Sequence, residues 1–168
     1  MKIILVRLGM LMLATLVAEP VLPAPCKISQ SVYRDADGKG FELVFGEPIP
    51  EKASSKATAM ITHSQVGELY KFDVNQSSGY GSIYLILLDY DGALEPRDFN
   101  IIFFDQNLLS ATPLWFGEET QAPKYAFIAG LGGHDYYRRK ADLYTSGVSS
   151  LVPPLADTMW VYNRCKID

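Results

Sequence analysis

The chain has 168 residues, 48% hydrophobic and 20% charged, with a net charge of −4 at neutral pH. That length is enough for one domain with a sizeable core. The acidic balance, with no basic run beyond Arg138-Arg139-Lys140, argues against nucleic acid or an anionic membrane surface as the partner.

Residues 1–24 read as an export signal. Lys2 and Arg7 give a basic start, Leu8 to Ala18 is an apolar run too short to span a bilayer, and small residues and prolines follow. The cleavage point is poorly marked, because Leu16 stands at the −3 position from Ala18 and Pro25 directly follows Ala24. Residues 25–168 then form the single mature domain, with 13 basic and 18 acidic residues, a net charge of −5 and no transmembrane segment. Cys26 and Cys165 flank this domain, and in an oxidising compartment they are expected to pair.

Ile28 to Arg34 alternates loosely and reads as an outer strand. Asp35 to Gly40 is a turn, with an Asp-Gly step, and Phe41 to Phe45 alternates cleanly to complete a hairpin. Gly46 to Ser55 is a loop with two prolines. Lys56 to His63 and Leu69 to Gln76 are strands, the latter with Tyr70, Phe72 and Val74 inward and Lys71, Asp73 and Asn75 outward. Ile83 to Leu88 is apolar throughout, which predicts a strand buried on both faces, beside a second core strand over Phe99 to Phe104. Ile83, Leu85, Leu87, Ile101 and Phe103 are expected in the core.

Leu108 to Pro123 has no period and carries Trp115-Phe116, so it reads as a long loop with a hydrophobic anchor. Lys124 to Ala129 is a strand ended by glycines. His134 to Leu143 is the one place for a short helix. Asp157 to Cys165 is the last strand, with Met159, Val161 and Cys165 inward. About eight closely spaced strands without a βαβ rhythm predict an all-β fold, an antiparallel sandwich or small barrel.

The Asp-x-Asp-Gly stretches at 35–38 and 89–92 resemble calcium loops in composition but lack the EF-hand spacing, so hairpin turns are the simpler reading. His63 and His134 are too few for a zinc site, and His63 shares its face with Ala59 and Ile61, as a structural histidine would. No serine sits in a Gly-x-Ser-x-Gly elbow. No cofactor is expected.

The unusual stretch is Gly132 to Lys140. His134, Tyr136, Tyr137, Arg138 and Arg139 bring aromatics and cations together on an acidic protein, behind a Gly-Gly bend. Tyr and Arg give contact area at low entropy cost, which suits an anionic glycan, a peptide or a protein. The bland alternative is a helix whose tyrosines plug the core. The expectation is therefore an exported, periplasmic or secreted, non-enzymatic binding module. Its rivals are a small exported hydrolase and an inhibitor or accessory subunit of an exported enzyme.

Overall fold

The computed structural model describes residues 26–88, 97–117, 119–146 and 152–166, and only the backbone of 141–146. Eight strands follow in chain order: β1 (Ser31–Asp35), β2 (Phe41–Gly46), β3 (Ala57–His63), β4 (Gly67–Gln76), β5 (Ile83–Leu87), β6 (Asp98–Phe104), β7 (Tyr125–Ile128) and β8 (Met159–Cys165). Each pairs antiparallel with the next, and β8 pairs back onto β1, closing a barrel. Closure leaves no strand edge open to another chain, which a sandwich cannot achieve. One α-helix, α1 (Leu131–Ser146), lies between β7 and β8.

An up-and-down order sends alternate connections to opposite ends. The turns after β1 and β3 share one end with α1, the helix end. The segments 47–56, 77–82 and 105–124 occupy the other, the loop end.

Strict alternation in β2 and β3 sends Phe41, Leu43, Phe45, Ala57, Ala59 and Ile61 inward. Ala59 pairs with Phe45 on one side and Phe72 on the other, so its small side chain makes room for two rings. Phe45 and Phe103 meet across the interior from opposite strands, with centroids 6.2 Å apart. Tyr33 packs edge-on to Phe45, and Phe72 to Phe99. An eight-stranded barrel is just wide enough for its own side chains to fill, and this lumen is filled by aromatics.

Several local expectations change. Ile28–Gln30 is a 3-10 turn rather than part of the first strand. β5 buries Ile83 and Leu85, but Tyr84, Ile86 and Leu87 are only half-buried and Leu88 is exposed. A closed barrel has one interior, so its strands bury one face. Met159 and Val161 point away from the interior while Trp160 is buried. The β1–β8 register shifts between Val32 and Tyr33, leaving Asn163 as the extra residue, and such a bulge reverses parity before Cys165. Asp73 lies on the outer face of β4, yet it is buried beside the 47–56 segment, whose Lys52 Nζ sits 2.7 Å from its Oδ2. Burial pushes the Asp73 carboxyl up, but hydrogen bonds from Lys52, Ser55 and Asn75 outweigh it and hold the group below its ordinary value.

Cys26 and Cys165 form a disulfide between residues 139 apart. It stands at the loop end beside the β1–β8 seam, where Ser31 faces Cys165 and Lys166 N donates to Gln30 O at 2.6 Å. The covalent bond therefore reinforces the pairing that closes the barrel. No described helix is long and apolar enough to cross a membrane.

Candidate binding site

α1 caps the helix end of the barrel. The chain leaves β7 through Gly130, whose φ of 78° lies in the left-handed region that glycine tolerates without strain. Gly132 and Gly133 therefore sit within the first turn of the helix rather than forming a hinge before it. Gly132 passes so close to the chain at Ala156 and Asp157 that a Cβ there would collide with the Asp157 amide nitrogen. Its own N–H donates to Asp157 Oδ1 at 2.8 Å.

Helical spacing then divides the sequence cluster into two groups. His134 and Asp135 are buried at the mouth of the barrel. The His134 ring packs edge-on to Phe99 and Tyr70, at centroid distances of 5.3 and 5.9 Å. Asp135 Oδ1 accepts from the Tyr70 hydroxyl at 2.7 Å. Its Oδ2 accepts from Arg139 Nε at 2.6 Å and from Leu155 N at 2.9 Å. One carboxylate thus joins the helix, β4 and the segment leading into β8. Arg139 also donates to Val152 O at 3.1 Å. Burial, and then the hydrogen bond to Asp135, push the Tyr70 hydroxyl well above its ordinary value, so it remains a donor.

The second group faces outward. Tyr136 is 56% exposed and Tyr137 68%, their rings edge-to-face at 5.3 Å. Arg138 and Lys140 are exposed beside them. The Arg138 guanidinium lies 4.9 Å above the Tyr70 ring, and Nη1 donates to Leu69 O at 3.3 Å. Those contacts hold the cation in place and leave most of its five donors directed elsewhere.

Burial, with the charges of Arg97 and Arg138, lowers the His134 pKa from 6.5, and Asp135 only partly opposes this. The folded state therefore prefers the neutral ring more strongly than the unfolded chain does. Its contribution to stability is complete above pH 6.5 and is lost as pH falls through the depressed folded value. Unfolding free energy is expected to drop between pH 7.5 and 5.5 more in the parent than in His134→Phe. Equal slopes in urea titrations would assign the acid sensitivity to another group.

His63 is buried at the same end of the barrel, with Nε2 3.0 Å from Lys39 O and Nδ1 accepting from Gln65 N at 3.2 Å. Both ring nitrogens are used in holding turns. The first Asp-x-Asp-Gly stretch is a turn in which the Asp35 carboxylate accepts from the backbone N–H groups of Lys39, Gly40 and Phe41. The second, at 89–92, lies outside the described residues. Among the described residues no three His, Cys, Asp or Glu side chains come together as a metal site would require.

Alternation could not separate Trp115 from Phe116. Phe116 is the anchor of the long loop and stacks on Phe103, whereas Trp115 is 89% exposed. The signal, a Trp-Phe step before Gly117 in an aperiodic stretch, marks a loop without showing which ring it buries. No family model, curated protein or solved structure matches this chain.

Proposed function

We propose that the chain is an exported, non-enzymatic binding module that engages a negatively charged partner, whether glycan, peptide or protein, through the outer side of α1. Export is supported by the signal-like residues 1–24 and by a disulfide, a bond that persists in oxidising compartments. The observation that carries the binding reading is the pair Tyr136 and Tyr137, exposed beside Arg138 and Lys140 on a helix pinned from beneath by Asp135. Rigid aromatic area beside a cation is the composition of interface hot spots, and pinning the helix reduces the entropy lost on binding. The local positive charge attracts an anion against the field of an acidic protein.

A titration with a sulfated oligosaccharide and with an oligoglutamate peptide tests this reading. Affinity for at least one of the two is expected to weaken with added salt and to disappear in Arg138→Glu/Lys140→Glu. Binding that survives the charge reversal would place the contact elsewhere. A protein that binds neither probe would contradict the anionic partner.

A further inference from the structure

The geometry points to a second binding site, at the loop end of the barrel and separate from α1, that takes a pyranose ring of a glycan on the face of Trp115. A cleft of about 730 Å³ lies there, lined by Trp115 and Pro113 on one side and by Lys56, Glu119, Thr120 and Gln121 among its polar residues. Its volume is within the ~300–1,000 Å³ typical of small-molecule sites.

The wall carrying the indole is fixed before any ligand arrives. Gln76, at the end of β4, shares the two hydrogens of Nε2 among Gly81 O, Pro113 O and Leu114 O and accepts through Oε1 from Phe116 N. One amide thereby ties both ends of the Leu114-Trp115 step to the barrel, and Phe116 roots it in the core. On the far side Thr120 Oγ1 accepts from Gly117 N at 2.9 Å, and Thr120 O accepts from Ile28 N at 2.7 Å. A large indole held 89% exposed by such a scaffold keeps its face toward solvent at a hydrophobic cost, which an aromatic platform for a ligand explains.

The polar lining selects the ligand class. The Lys56 ammonium and the Gln121 side-chain amide make no hydrogen bond or ion pair among the described residues, while Glu119 Oε1 is paired with Lys27 at 2.8 Å. The cleft therefore offers an ammonium, an amide with both donor and acceptor, and the second carboxylate oxygen, all beside one flat apolar surface. A purely apolar ligand would desolvate these groups without replacing their water contacts. A pyranose matches both halves, with a face of C–H groups for the indole and a rim of hydroxyls, or a uronic carboxylate, for the polar side.

The two tryptophans make the test direct, because Trp160 is buried and silent to surface ligands while Trp115 is exposed. The parent is titrated at millimolar concentration with cellohexaose, chitohexaose, maltohexaose and hexagalacturonate, following tryptophan emission. At least one is expected to shift it, with the galacturonate separating acidic from neutral rings. Calorimetry should show that ligand weakened about tenfold or more by Trp115→Ala. Gln121→Ala should also weaken it. Unaltered blue emission from Trp160 in Trp115→Ala confirms that the barrel is intact. The proposal is overturned if none of the four sugars perturbs the emission or if Trp115→Ala binds as the parent does.

Discussion

Replacing Asp135 with alanine is expected to destabilise the protein by about 3–5 kcal/mol, the range for removing one partner from a buried ion pair. The carboxylate is 2% exposed and serves three donors on three parts of the chain. Alanine would leave the Tyr70 hydroxyl and the Leu155 N–H buried without their acceptor, each at about 1–3 kcal/mol. It would also remove the Asp135 carboxylate from the Arg139 guanidinium, which is 17% exposed. For a domain of this size the melting temperature should fall by roughly 10 °C. Asp135→Asn keeps one carbonyl acceptor and should fall between parent and alanine. A loss below about 1 kcal/mol in urea unfolding would mean that the helix cap is held by packing alone.

Removing the disulfide should have a comparable effect. Cys26→Ser/Cys165→Ser is expected to cost about 2–5 kcal/mol, because an unfolded chain freed of a crosslink between residues 139 apart gains most of its lost loop entropy. The native barrel would keep its β1–β8 hydrogen bonds, so the change should appear as a lower denaturant midpoint with the same folded spectrum. An unchanged midpoint would show that the seam needs no covalent help.

The fold was legible where alternation was strong. Phe41, Leu43 and Phe45 in β2, and Tyr70, Phe72 and Val74 in β4, announced their inner face by period two. Barrel closure was legible only through the expected Cys26–Cys165 bond, which ties the ends of the domain together, because alternation in β1 and β8 does not say which strand a free edge will meet. The apolar run from Ile83 to Leu88 suggested two buried faces because hydrophobicity does not reveal whether a strand's outer side is covered. The last strand misled because its bulge at Asn163 shifts parity in mid-strand. In the candidate site, composition located the cluster around α1, but only three-dimensional spacing divides it. His134, Asp135 and Arg139 turn inward to hold the cap, Tyr136 and Tyr137 turn outward, and Arg138, one turn on from His134, stays exposed at the rim over Tyr70. Trp115 reads together with Phe116 as a buried anchor, and only Phe116 is one, since a loop without period gives no face to assign.

The central claim is that α1 has a structural underside and a binding outer side that can be altered independently. The double variant Tyr136→Ala/Tyr137→Ala tests it most directly, measured for melting temperature and for affinity toward whichever of the sulfated oligosaccharide or oligoglutamate the parent binds. The melting temperature is expected within about 2 °C of the parent, since both rings are more than half exposed. Affinity should fall by about tenfold or more, as when hot-spot aromatics are truncated. A variant that melts as far below the parent as Asp135→Ala, or that binds with the parent's affinity, would contradict it.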